Sequence, residues 1–214
     1  MRSELDAFCF LWRGVYGIVC HAVVDTSIFG YLMNQRSMRN WKVLCWNVRG
    51  LNSEPRQRSV REKISESQCA VACLQETELD VIDSYLVMQC LGPSFDGFAY
   101  LPALETRGGI LLGWSSACLT INNIICDTNF LSGLVHSRDG SEWWLSVVYG
   151  PQGDELKTQF LVELQHRRDV SPRPRMVLGD FNMILRANEK TNPNLNRSMM
   201  RKFKSFVENN ELKE

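Results

Sequence analysis

Four apolar runs in this chain each stop at a polar group: Trp46-Asn47, Gln75-Glu76, Tyr149-Gly150-Pro151 and Gly179-Asp180-Phe181-Asn182. A short continuous apolar run reads as a strand covered on both faces, so an acid, amide or phenol at its end marks where the strand meets solvent. In an open α/β layer such ends converge, and the four together can line one pocket for a divalent cation and a phosphate. No histidine follows the fourth segment, because the only ones are His21, His136 and His166.

Between these runs the pattern alternates strand and helix. Trp41 to Val48 reads as a strand, and Pro55 then opens a charged segment with Val60 and Ile64 at helical spacing. Cys69 to Leu74 and Gly108 to Trp114 read as buried strands. The stretches Cys118 to Cys126, Phe130 to His136 and Glu142 to Tyr149 read as antiparallel hairpins, with Ser137-Arg138-Asp139-Gly140 as one turn. Asp154 to Arg168 places Leu156, Phe160, Leu161 and Leu164 on one helical face, with Asp154 as N-cap or first-turn acid. Met176 to Leu178 is a short strand, and Ser198 to Asn210 is an amphipathic helix with Met199, Phe203, Phe206 and Val207 on one side. The sheet is expected to be mixed, and residues 41–214 to form one domain.

Residues 1–40 read as a poorly ordered leader. The uncharged stretch Gly14 to Val24 is only 11 residues, whereas a membrane span needs about 20. Glu4 and Asp6 argue against a secretory signal. Eight cysteines are present without a C-x-x-C pair, and Cys45, Cys69 and Cys73 sit in apolar runs. They read as buried free thiols in a reducing, intracellular setting, nuclear or cytoplasmic, rather than as zinc ligands or disulfides.

A formal net charge of zero removes any global electrostatic argument for nucleic acid. Locally, Arg186, Lys190, Arg197, Arg201, Lys202 and Lys204 face the single acid Glu189. That segment is either a nucleic-acid contact, with Arg186, Lys190, Arg197 and Arg201 as its best candidates, or a solvated helix face.

At the strand ends, Glu76 is the best candidate ligand for Mg²⁺, with Mn²⁺ an alternative, because a hard cation takes few protein oxygens and keeps waters for the substrate. Asn47 can add a neutral oxygen or hold a phosphate. Asp180 and Asn182, two residues apart, face the same way. The aspartate can orient or deprotonate a water, and the amide can stabilise a pentacovalent phosphorus. Tyr149 can donate its phenolic hydrogen to the phosphate. Each has a plainer reading: Asn47 as a turn residue, Glu76 as a solvated acid, Tyr149 as core, and Asp180 with Asn182 as caps. Their occurrence at four strand ends in this order favours the joint reading.

Trp46-Asn47-Val48-Arg49-Gly50-Leu51-Asn52, Leu74-Gln75-Glu76-Thr77, Gly108-Gly109-Ile110, Val148-Tyr149-Gly150-Pro151 and Gly179-Asp180-Phe181-Asn182 resemble the endonuclease/exonuclease/phosphatase superfamily. Within it, the Trp-Asn-Val-Arg-Gly-Leu opening and Glu189-Lys190 are similar to the apurinic-like endonuclease domain of plant non-LTR (LINE-type) retrotransposons. The resemblance implies a four-layer α/β sandwich of two mixed, mainly antiparallel sheets flanked by helices. It also implies Mg²⁺-dependent phosphodiester hydrolysis by a DNA endonuclease, with DNA as partner, no membrane and no obligate protein partner. Asn47 and Glu76 would serve the metal, and Tyr149, Asp180 and Asn182 the catalysis. Arg49 stands where many apurinic-type enzymes carry an acid.

The superfamily pattern continues with a Ser-Asp-His motif and a further aspartate, and neither follows Asn182. The resemblance therefore implies a domain incomplete at its C-terminus, with the last strands of the second sheet missing and an apolar edge uncovered. Loss of those groups would remove several kcal/mol of transition-state stabilisation and leave the site inactive or weak. Two alternatives stand beside the nuclease: a noncatalytic nucleic-acid-binding remnant, and a phosphatase of the same superfamily.

Overall fold

In chain order the elements are β1 (Cys9–Arg13), β2 (His21–Asp25), β3 (Lys42–Asn47), α1 (Glu54–Ser67), β4 (Val71–Gln75), α2 (Ser84–Leu91), β5 (Gly97–Leu101), β6 (Ile110–Trp114), β7 (Leu119–Cys126), β8 (Phe130–Ser137), β9 (Glu142–Tyr149), α3 (Asp154–Val170), β10 (Arg175–Asp180), α4 (Arg197–Asn209) and β11 (Leu212–Lys213). They come from a computed structural model that describes residues 9–13, 21–25, 42–104, 108–171, 173–189 and 195–213. One sheet has the order β2-β3-β4-β6-β5 and the other β11-β1-β10-β9-β8-β7. Both are mixed: β3 runs parallel to β4 and β10 parallel to β9, while β4 with β6 and β7 with β8 with β9 are antiparallel.

The continuous apolar runs follow from burial on both faces. In β3, Val43 and Cys45 point into the core between the sheets, whereas Leu44 points out under α1 and α2. In β4, Val71 and Cys73 point inward, and Ala72 and Leu74 outward. The period of two is present, but both phases are covered, so it is invisible as alternation. On the second sheet, Leu145, Val147, Met176 and Leu178 fill the inner core. Val148, Val177 and Phe130 meet Phe160, Leu164 and Phe203 of α3 and α4 on the outer side. The result is two mixed sheets flanked by helices, in four layers.

The helices start and stop for local reasons. Pro55 sits in the first turn of α1, and Gln68 closes that helix with φ +51°. Asp83 caps α2 by accepting from the Leu86 N–H at 2.8 Å. Asp154 opens α3 as a first-turn acid rather than as the cap, which is Gly153. In α4 Met199, Phe203, Phe206 and Val207 are all buried, as their spacing predicts.

The structure departs from the sequence reading at four places. Leu156 is exposed, and Lys157 takes the inward position, its stem buried and its ammonium 3.7 Å from Asp154. The helix α2 and the strand β5 have no strong signal, because one is short and the other only partly buried. Two strands fall within the segment expected to be a poorly ordered leader, while the remainder of residues 1–41 lies outside the described residues. Cys9-Phe10-Leu11-Trp12 and Ala22-Val23-Val24 are rich in strand-forming side chains, and unpaired sheet edges recruit such segments. The edge of β10 expected to be uncovered is accordingly paired, with β1 in register from Cys9 opposite Arg175 to Arg13 opposite Gly179, and β11 beyond it.

Cys45, Cys69, Cys73 and Cys90 are buried free thiols, and burial pushes the Cys45 thiol up to about 12. Among the described residues no helix is long and apolar enough to cross a membrane.

Candidate active site

Parallel pairing brings the polar strand ends to one edge. In one sheet Asn47 lies opposite Gln75, and in the other Tyr149 lies opposite Asp180. Two side-chain hydrogen bonds then cross between the sheets. Asn47 Nδ2 donates to Asp180 Oδ2 at 3.3 Å, and the Tyr149 hydroxyl donates to Glu76 Oε1 at 3.0 Å.

The backbone around these groups is held in unusual conformations. Among the non-glycine residues with positive φ are Arg49 (+53°), Glu76 (+58°), Glu78 (+57°) and Asn182 (+51°), all on the loops at this edge. Left-handed geometry costs an L-residue about 1–2 kcal/mol, and it persists where surrounding contacts over-determine it. Here the loops are laced together: Val48 N–H to Gln75 O at 3.0 Å, Gly50 N–H to Glu76 O at 2.7 Å, Leu51 N–H to Thr77 O at 2.8 Å, and Glu76 N–H to Gly109 O at 2.9 Å. Arg56 also donates to the Arg49 carbonyl.

Close approach at this edge requires glycine. A Cβ on Gly108 would lie 2.9 Å from Glu76 Cα and Cγ, and one on Gly179 would lie 2.0 Å from Val148 O. Gly150 donates its N–H to Asp180 O at 2.7 Å, which ties the end of β10 to the end of β9.

Burial raises the Asp180 carboxyl above its ordinary value, and the charge of Glu76 adds to the rise. Asn182 N–H to Asp180 Oδ1 at 2.8 Å, the Asn47 amide and the Arg49 charge oppose it. Tyr149 is held far above the usual phenol range by burial and by Glu76, so it stays a neutral donor. Asn47 Oδ1 is buried without a hydrogen-bond partner. Because a carboxylate only accepts, the amide nitrogen of Asn47 faces Asp180, and its oxygen remains as a donor atom for a cation or water. An orphaned carbonyl-type oxygen on the side chain that meets Asp180 is a donor of the kind that a hard divalent cation takes. Among the described residues no group of three or more His, Cys, Asp or Glu side chains converges, so such a cation would rest on mixed donors.

The edge thus gathers Asn47, Glu76, Tyr149, Asp180 and Asn182. Two of them make contacts other than those expected. Tyr149 turns its single hydroxyl hydrogen to Glu76, and Asn182 is buried with its amide donating to Gly150 O at 2.6 Å. Arg186, Arg197 and Arg201 are exposed outside the cluster, and Lys190 lies outside the described residues. Three further residues shape the site. Gly108 admits Glu76 and Tyr149. Gln75, fully buried, donates to Cys73 O at 2.9 Å, and Thr77, also buried, underlies Gly109. The Gly108-Gly109 pair and the Leu74-Gln75-Glu76-Thr77 run are the sequence signals that contain these residues.

Solved structures with the same fold include the AP endonuclease LMAP from Leishmania major, 20% identical with TM-score 0.57, covering 79% of this chain and 66% of that one. The catalytic domain of Xenopus laevis APE2 is 16% identical with TM-score 0.54, over 78% of this chain and 66% of that one. TDP2 from D. rerio, complexed with a single strand DNA product, is 18% identical with TM-score 0.50, over 69% and 62%. The chain thus spans less than two thirds of the length of each. No curated protein matches at the level of sequence. The sequence model described as Endonuclease/Exonuclease/phosphatase family matches residues 44–210, which hold every strand end of the site. This chain belongs to the Endonuclease/Exonuclease/phosphatase family.

Proposed function

We propose that this edge hydrolyses a phosphodiester bond of DNA with one divalent cation, Mg²⁺ or Mn²⁺, held by Glu76 and the orphaned Asn47 oxygen. The observation that carries the reading is the pair of cross-sheet hydrogen bonds, Asn47 to Asp180 and Tyr149 to Glu76, around that unpartnered oxygen. A bound cation would neutralise phosphate charge and stabilise the departing oxygen.

The remaining chemistry belongs to the chain. Asp180 accepts the proton of the attacking water, and its raised basicity suits a proton acceptor at neutral pH. Water oxygen bonds to phosphorus while the bond from phosphorus to the leaving oxygen breaks. Asn182 fixes the Asp180 carboxylate through its own N–H and anchors the loop on Gly150. Tyr149 orients Glu76, and once a phosphate enters, its neutral hydroxyl is placed to donate there instead.

Nucleic acid as substrate is supported by the exposed Arg186, Arg197 and Arg201, and by the DNA product in the D. rerio TDP2 complex. The finer assignment, an endonuclease of the plant LINE-type retrotransposon branch, rests on the Trp46 to Leu51 opening and on Glu189-Lys190. The test is nicking of supercoiled plasmid with Mg²⁺, by the unchanged protein, Glu76→Gln and Asp180→Asn. Weak nicking that both substitutions abolish is expected. Folded protein that nicks no faster than its variants would overturn the nuclease reading.

A further inference from the structure

We propose that the exposed face of α4 extends the site as a track for the phosphate backbone of the nucleic-acid strand held there; this rests on the phosphodiesterase reading above.

Two adjoining cavities lie between Asn182 and the exposed face of α4. Asn182, at the end of the catalytic cluster, lines a small cavity of about 60 Å³ together with Ile184, Asn196 and Met200. Met200 also lines a larger groove of about 410 Å³, whose other walls are Leu185, Arg197, Arg201 and Lys204. The cavity that Asn182 lines therefore adjoins, at Met200, the groove walled by these cations. Arg197, Arg201 and Lys204 recur at helical spacing on one exposed face and cover about 10 Å of axis, a length that meets two successive phosphates of a strand.

What distinguishes this face from an ordinary solvated helix is the state of its charges. Cations on the other long helices are mostly paired: Arg58 with Glu54 at 3.0 Å and Lys63 with Glu66 at 3.0 Å on α1, Arg167 with Asp127 at 3.7 Å and Arg168 with Glu211 at 3.4 Å on α3. Among the described residues neither Arg197 nor Arg201 has an acidic partner, and only Lys204, at the far end, meets an acid, Glu208 at 3.7 Å. The acids beside the path are already engaged. Asp154 is held by Lys157 at 3.7 Å and by Asn196 at 2.6 Å, and Glu189 accepts from the Leu185 N–H at 3.1 Å. An approaching polyanion therefore meets two guanidiniums that no carboxylate among the described residues pairs with.

The track is tested by binding in EDTA, where no cleavage occurs. A labelled 20-nucleotide single strand and the matching duplex are titrated across a salt series with three proteins: unchanged, Arg197→Gln with Arg201→Gln, and Arg58→Gln with Lys63→Gln. The last pair removes the same charge from α1, on the opposite sheet. Loss of two phosphate contacts should lower the slope of log affinity against log salt by about 1.4 on the single strand or about 1.8 on the duplex. At 0.1 M salt the single-strand slope corresponds to a loss of up to roughly 25-fold. The α1 pair should change affinity less than about twofold. Equal losses for both pairs, an unchanged slope for the α4 pair, or no low-salt binding by the unchanged protein would each overturn the track. Plasmid nicking that still depends on Glu76 in any of those cases leaves the hydrolase reading standing.

Discussion

Replacing Tyr149 with phenylalanine isolates the contact that joins the two sheets at the site. The substitution removes one oxygen and leaves the ring, so it opens no cavity in the surrounding core. What is lost is the 3.0 Å hydrogen bond from the Tyr149 hydroxyl to Glu76 Oε1. A hydrogen bond to a charged acceptor contributes about 1.5–3 kcal/mol. Glu76 is only partly buried, so water recovers some of this, and the lower end, about 1.5 kcal/mol, applies. For a chain of this size each kcal/mol moves the melting temperature by about 2–4 °C, so Tyr149→Phe should melt roughly 3–6 °C lower. If Glu76 is a metal ligand, Tyr149 is the group that orients it, and loss of such a partner weakens metal binding by about 10- to 100-fold. Calorimetric titration with Mn²⁺ and thermal melts with and without Mn²⁺ measure both effects on the same samples. An unchanged melting temperature together with an unchanged Mn²⁺ affinity would refute the reasoning, because it would mean that the hydrogen bond neither supports the edge nor positions Glu76.

Asp180→Asn should raise the melting temperature of the metal-free protein near neutral pH. The folded carboxyl titrates above its unfolded value, so the stability it contributes is present in acid and is lost as pH rises through the folded value. The advantage of the amide should therefore vanish below the ordinary carboxylate range, as thermal melts from pH 3 to 8 would show. Gly108→Ala places a methyl 2.9 Å from Glu76 Cα and Cγ and 3.2 Å from Tyr149 Cε1. Overpacking of this kind costs about 1–3 kcal/mol, and here it should also weaken Mn²⁺ binding, whereas Gly140→Ala, with no atom within 4 Å of the added carbon, should leave Mn²⁺ binding unchanged. Phe160→Ala should cost about 3–5 kcal/mol in denaturant unfolding, since Phe160 is fully buried between Phe130 and Phe181, with ring centroids at 6.5 and 5.9 Å.

Much of the layer structure was legible because burial on two faces leaves a strong local mark. The runs ending at Asn47, Gln75, Tyr149 and Asp180 are strands, and the helical spacing in α1, α3 and α4 places the right faces inward apart from Leu156. Short or half-exposed elements such as α2 and β5 left too few buried positions to show a period. The strands β1 and β2 were missed because their pairing depends on edges offered by distant strands, and nothing in their own sequence announces those edges. At the site, residue types were legible but partners were not: Tyr149 faces Glu76, and the Asn182 amide faces Gly150.

From its sequence alone the chain determines which segments are buried and where each emerges, because apolar patterning and the polar groups that interrupt it are local properties. Only the tertiary structure decides that Asn47 meets Asp180 across 133 positions of chain, and Tyr149 meets Glu76 across 73. Those contacts depend on which sheet faces which and in what register. That choice is made by the packing of the shared inner core, where any apolar side chain contributes area but only one arrangement of the two sheets fills the space.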